Sequence, residues 1–275
     1  MTRVAVVGHV EWVEFARVPH VPRAGEIVHA ASTFALAAGG GAGAALGLRT
    51  LAGTATFLTA LGTDDLGGVA EAELAAKGLD VHATHRADAP TRRCWTHVDA
   101  EGERAITVLG PRIAPRGADQ LPWDELARCD AAFFTAGDAD ALRAARAAGV
   151  LILTRRALDS ALAAQVPIDA IVSSSGDPGE QGDLSGLRHP PRFVVETDGA
   201  RGGRWTSADG NAGTWDAVPP PGPPVDSYGC GDAFAAGLTF ALGAGRSIQA
   251  AVELGARCGA ACLAGAGPDA WTLTP

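Results

Sequence analysis

Short apolar runs alternate with alanine-rich helical stretches along the second half of the chain, and that alternation limits the fold more than any other feature. Ala131–Thr135, Val150–Leu153 and Ala170–Val172 read as strands, with helices at Asp138–Ala148 and Ser160–Gln165 between them. A strand reached through a helical crossover pairs parallel with the one before it. Parallel strands are covered on both faces, so they read as continuous apolar runs rather than alternating ones. Arg3–Gly8, rich in valine, has the same character, and Thr54–Leu61, Phe193–Glu196 and Arg204–Thr206 add further strands. Leu36–Leu51 reads as helical material opened by Gly39-Gly40-Gly41, and Val69–Lys77 as an amphipathic helix stopped at Gly78. Asp232–Leu242 and Ile248–Leu263 read as two closing helices. One segment breaks the rhythm: Arg92–Val98 and Arg104–Leu109 flank a hairpin turn at Asp99–Arg104. The prolines of Val18–Glu26 and Val218–Val225 mark surface connections. The expectation is a mostly parallel α/β sheet with a small separate β element.

Charge and composition exclude several classes. Asp and Glu number 31 against 22 Lys and Arg, a net charge of −9, which leaves no basic field for nucleic acid. The longest uncharged stretches, Ala30–Leu48 and Thr50–Thr63, are alanine-rich and broken by Gly, Ser and Thr, so neither makes a membrane span. The apolar run at the N-terminus is too short for a signal peptide. Five scattered cysteines without a CxxC pair read as reduced thiols, which implies a cytoplasmic setting. The only lysine, Lys77, lies outside any glycine-rich phosphate loop, so nucleotide binding of the P-loop or protein-kinase type is excluded.

Chemistry concentrates in Val225-Asp226-Ser227-Tyr228-Gly229-Cys230-Gly231-Asp232. Glycines flanking one residue at a helix start let successive N–H groups converge, and the helix end adds partial positive charge. Gly229, Cys230 and Gly231 thus form a candidate anion hole that needs no lysine. Asp232 would repel a phosphate as a ligand. It is better placed as a base taking a proton from an attacking hydroxyl. On these residues alone, an acidic first-turn residue beside a glycine turn is an equal reading.

The segment resembles the Asp-Thr-x-Gly-Ala-Gly-Asp-x-Phe signature of the ribokinase (PfkB) family of carbohydrate kinases, with Ser227 for Thr and Cys230 for Ala. The rest of the chain matches that family in order. Gly8, Pro22, Gly25 and Glu26 fit its first strand and following loop. Gly39-Gly40 fits its glycine pair, Gly62-x-Asp64-x-x-Gly67 its turn, and Thr91, Asp99, Gly102 and Arg104 its lid segment. The resemblance implies one ribokinase-like three-layer α/β sandwich over residues 1–275, with a small β-sheet lid from about 10–35 and 90–110. It implies transfer of the ATP γ-phosphate to a hydroxyl of a small acceptor. Thr197 and Gly199 would lie near the ATP phosphates and Ala251–Ala264 near adenine. Asp226 would cofactor the site by helping to seat a monovalent cation. Glu11, Gly39, Gly40 and Gly41 would line the acceptor site, and homodimers would form through the lid.

Departures bear on the metal and the acceptor. The family's Asn-x-x-Glu motif for Mg²⁺ is replaced by Ser174-Ser-Gly-Asp177-Pro-Gly-Glu180, where Asp177 and Glu180 are either water-mediated metal ligands or parts of a turn. The sugar-gripping Asp and Asn are replaced by Val13 and by Ala44 or Ala45. Glu11 is either the remaining hydroxyl acceptor or a solvated loop carboxylate; Tyr228 either edges the pocket or packs. No cationic clamp is visible in these segments, so the expected acceptor is neutral, a sugar or a nucleoside, and sugar phosphates should be poor. Two other readings are a non-catalytic, pseudokinase-like ligand-binding protein and a Rossmann oxidoreductase built on Gly39-x-Gly41-x-x-Ala44.

Overall fold

The computed structural model describes residues 2–273. Strand β1 (Val4–Val7) is fully buried in the interior of a nine-stranded sheet, paired parallel on both sides. Its neighbours are β4 (Thr56–Gly62) and then β5 (Asp80–Arg86) on one side. On the other lie β8 (Ala131–Phe134), β9 (Val150–Thr154), β10 (Ala170–Ser174) and β11 (Phe193–Thr197). The edge is closed by β12 (Gly203–Ser207) and β13 (Ala212–Trp215), which pair antiparallel. Alternate residues of β1 face opposite cores: Val4 and Val6 pack on one side, Ala5 and Val7 on the other.

The first core is covered by α1 (Gly40–Ala52), α2 (Asp65–Ala76), α5 (Cys230–Gly243) and α6 (Ile248–Leu263). The second is covered by α3 (Ala139–Ala145) and α4 (Leu158–Ala164). Small residues bring α1 and α5 together, since a Cβ on Gly47 would lie 2.8 Å from that of Ala236. Side-chain caps fix three helix starts: Asp64 accepts from Gly67 N, Asp138 from Ala141 N and Ser247 from Ala250 N.

A second sheet has the order β3 (Ser32–Ala38), β2 (Glu11–Arg17), β6 (Arg93–Val98), β7 (Arg104–Leu109). Its inner face (Val13, Phe15, Ala38, Cys94 and Val98) packs with Tyr228 of the segment before α5. One sequence expectation changes here. Leu36–Ala38 belong to β3 rather than to the helix, which begins only at Gly40. Glu11–Arg17, which lies in the stretch that the resemblance assigned to the β lid although its residue pattern did not mark a strand, pairs with β3 and β6. No helix among the described residues is long and apolar enough to cross a membrane.

Candidate active site

The parallel strands deliver their C-terminal ends to one edge of the large sheet, the usual place for a ligand in an open α/β fold. There α5 begins, capped by Gly229 in the left-handed region at φ 83°. That conformation suits glycine, and a Cβ would also lie 2.7 Å from Pro268 Cβ, so the first glycine of the turn is required by the fold. Gly231 differs. A Cβ there would meet no protein atom within 4 Å, so its side faces open cleft.

Asp232 lies in the first turn of α5 against the N-terminal turns of α1. A Cβ on Gly40 would sit 3.4 Å from its Oδ1, and one on Gly43 would sit 3.0 Å from its Oδ2. Its carboxylate makes no hydrogen bond to another side chain or backbone group among the described residues. Burial pushes its pKa up from 3.8 to about 7; nearby Arg104 and Arg156 oppose the shift, while Glu180 and Glu11 add to it. The result is an unpartnered carboxylate poised to take a proton near neutral pH.

The loop before α5 is braced from two directions. Asp226 is completely buried; Oδ1 accepts from Tyr228 N (2.9 Å) and Oδ2 from Gly267 N (3.2 Å). Desolvation raises its pKa against those two bonds. Arg104 of β7 donates to Ser227 O (2.8 Å) and Oγ (3.1 Å), and Ser227 N donates to Gly102 O (3.2 Å), so the β6–β7 hairpin rests on this loop. Tyr228 is buried, stacks edge-on to Phe15, and its hydroxyl accepts from Gly39 N (3.2 Å). Of the two readings of Tyr228, packing is the one seen.

Glu11 starts β2 and is 8% exposed, so the solvated-loop reading is set aside. Cys94 Sγ donates to its Oε2 (3.1 Å), and Arg92 Nε lies 3.2 Å from its Oε1. Gly39 packs on Glu11 with no room for a side chain, at φ 87° and with a Cβ position 3.0 Å from Glu11 Cγ. Gly41 packs on the backbone of His9, where a Cβ would be 2.5 Å from His9 O. The Gly39-x-Gly41-x-x-Ala44 pattern is therefore a helix fitted against a strand end. Ala44 and Ala45 are fully buried; the α1 positions that border the cleft are Gly40 and Gly43, a spacing the sequence reading passed over.

Asp177 and Glu180 are brought together by Arg156, which pairs with Asp177 Oδ2 and, through Nε at 3.2 Å, with Glu180 Oε1. Glu180 Oε2 accepts from Ser174 N at the end of β10 (2.6 Å), and its pKa is raised, mainly by burial. Thr197 ends β11 beside them, its Oγ1 donating to Ser173 O (3.3 Å), and Gly199 follows at φ 54° with open space around it. Among the described residues no group of three or more His, Cys, Asp or Glu forms a metal cluster.

Three arginines lie close enough to His9 to act on it electrostatically, in segments that the sequence reading did not connect with the acceptor site. Arg92, Arg112 and Arg156 all act on His9, which is buried beside Glu11 and held neutral, its pKa pushed down to about 3 by burial first and by those three charges after it. These arginines come from the link before β6, the return from β7 and the turn after β9. No local spacing joins them, so a motif reading could not find them.

The sequence model of the pfkB family carbohydrate kinases matches residues 1–139 and 184–273. A 70-residue stretch is 41% identical to the acarbose 7(IV)-phosphotransferase of Actinoplanes sp., and that match spans 25% of this chain and 23% of that one. The fold is similar to ribokinase from Giardia lamblia, with TM-score 0.80 and 17% identity over 98% of this chain and 95% of that one. It is similar to Arabidopsis thaliana ribokinase complexed with ribose and ATP, with TM-score 0.73 and 19% identity over 99% and 96%. Adenosine kinase from Sinorhizobium meliloti gives 0.74 and 18% over 97% and 95%. The architecture is thus ribokinase-like, which removes the Rossmann reading.

Proposed function

This chain belongs to the pfkB family of carbohydrate kinases, and from that premise we propose that it transfers the γ-phosphate of ATP to a hydroxyl of a sugar or nucleoside, with Asp232 as base. The carrying observation is the lone carboxylate of Asp232, unpartnered at the start of α5 and with a pKa near 7. A hydroxyl resting on it loses its proton as the new O–P bond forms. The backbone amides of Gly229, Cys230 and Gly231 face the charge that develops on the transferring group. Thr197, Gly199 and the segment Ala251–Ala264, which α6 supplies as far as Leu263, would hold the nucleotide, and Glu11 would contact the acceptor beyond Asp232.

Mg²⁺ would be held through water by Asp177 and Glu180. The fit rests on their hard oxygen donors, and on the fact that the pair already accommodates a positive group, the Arg156 guanidinium. Held there, the ion would supply positive charge to the phosphate oxygens, while the bond from the γ-phosphate to the ADP leaving group is the one that breaks. Asp226, fully buried and accepting only from the backbone N–H groups of Tyr228 and Gly267, would suit a monovalent ion near the anion loop. Trp95, Ile106, Val108 and Leu109 expose apolar surface on β6 and β7, where a second copy of the chain would pair.

Asp232→Asn tests the reading. The amide keeps the shape but cannot accept the proton, so transfer should fall by about 10²–10⁴-fold while ATP affinity holds. Retention of a tenth of the wild-type rate or more would remove the base assignment, whereas a wild type that transfers phosphate to no sugar or nucleoside would favour the non-catalytic, ligand-binding reading.

A further inference from the structure

The acceptor side of the cleft holds more positive charge than its carboxylates use. Glu11 is shared by Arg92 and Cys94, and Arg156 is spent on Asp177 and Glu180. Arg112 pairs with no carboxylate, although it lies within electrostatic reach of Arg92, Glu11 and Arg156. The Arg92 side chain is only 13% exposed, and its Nε and Nη1 are buried with no well-formed hydrogen bond. His9 Nδ1 is buried and unpartnered beside them. Unmet buried donors cost free energy, and so does crowding of like charges. A fold that assembles these groups from three separate segments gains most when an anion fills the space they leave.

That space adjoins the base. A point above Gly40, where its Cβ would stand, is 3.5 Å from His9 Cε1 and 3.4 Å from Asp232 Oδ1. From His9 the path continues to Glu11, whose Oε1 is 3.7 Å from His9 Nε2 and 3.2 Å from Arg92 Nε, so a molecule with a hydroxyl on Asp232 extends along His9 toward Arg92. We propose that the acceptor carries an acidic group, a carboxylate or a phosphate, gripped by Arg92 and Arg112 beside His9. This rests on the reading of Asp232 as the base and replaces the neutral acceptor expected from the sequence.

The test fills the donor site with the non-hydrolysable imido analogue of ATP and then titrates small anions by calorimetry into the full-length protein. Inorganic phosphate and acetate serve as probes, with ethylene glycol as the neutral control at equal ionic strength. At least one anion should bind tenfold more tightly than the control. Arg112→Ala, at an exposed position, and Arg92→Lys should each weaken that binding at least fivefold without changing affinity for the analogue. Tighter phosphate binding assigns a phosphorylated acceptor, and tighter acetate binding a carboxylate. The proposal falls if neither anion outbinds the control in the wild type, or if the advantage survives both substitutions. It also falls if the substitutions weaken only the analogue, because the arginines would then serve ATP. Failure of the analogue itself to bind counts against the kinase reading instead, and the same titrations without it still decide the acid site.

Discussion

The two walls of the cleft are built in different ways. The wall at the start of α5 is made of backbone, placed by a left-handed glycine and braced by Asp226, whose two oxygens are both satisfied. The facing wall, from β2 and the ends of β6 and β7, is made of long charged side chains with unfilled donors. Backbone donors cost no side-chain entropy when they bind and read only charge and position. Side chains read the identity of what they hold. The first wall suits the invariant part of a phosphoryl transfer, and the second suits the part that varies from one acceptor to another.

The sharpest way to break this contrast is to add one methyl group to each glycine of the anion loop. Gly231→Ala puts a Cβ only into open cleft. It should lower the transfer rate by about 10–10² while leaving the melting temperature unchanged. Gly229→Ala meets both Pro268 and a φ of 83°. It should therefore lose rate and also about 1–2 kcal/mol or more of stability. Steady-state kinetics beside thermal melts separate the two. An unchanged rate in Gly231→Ala would mean that no anion sits on this backbone.

How much could be read from the chain follows the same division. The Gly-Cys-Gly-Asp turn lies within four consecutive residues, so local chemistry alone was enough to propose both an anion hole and a base. The central strands were equally legible, because β1 and β8 are apolar throughout and buried on both faces. Strand β2 was not, since Glu11 and Trp12 invert its alternation, the carboxylate being buried and the indole partly exposed; the sheet accepts the buried carboxylate because Arg92 pairs with it. Edge strand β5, Asp-Val-His-Ala-Thr-His-Arg, carries too little apolar signal to stand out. The arginine wall was invisible for a deeper reason. Its members, Arg92 before β6 and Arg112 after β7, stand on separate segments, and only the folded chain brings both within electrostatic reach of His9.

A smaller effect sharpens the role of Asp232. With its folded pKa near 7 against an ordinary value of 3.8, the carboxylate is protonated through most of the acid range. Because the base must be ionised, kcat/KM should rise about tenfold per pH unit below 7 and flatten above it. Stability runs the other way. Between the two pKa values the folded state binds the extra proton, so rising pH disfavours folding until about 7. Asp232→Asn should accordingly melt higher than wild type at pH 8, on the order of 2–4 °C for each kcal/mol relieved, with a smaller gap at pH 5. A pH-independent rate between 5 and 8 would place the proton acceptor elsewhere.

The smallest expected effect falls on the one side chain that the backbone wall carries at its centre. Cys230 stands between the two glycines, and its thiol is held below the usual range chiefly by a hydrogen bond with Cys262, whose Sγ in turn lies 3.5 Å from Tyr228 O. That chain of sulfur contacts points away from the open face of Gly231 and toward α6. If the wall binds by its amides, the thiol contributes packing and nothing to the transferring group. Cys230→Ala keeps the amide, keeps a good helix former in the first turn, and removes only the sulfur. Turnover should stay within about twofold of wild type, with at most about 1 kcal/mol lost to the missing contact with Cys262. A fall of tenfold or more would show that a side chain acts on this wall as well, and the division between a backbone wall and a side-chain wall would then fail at its clearest point.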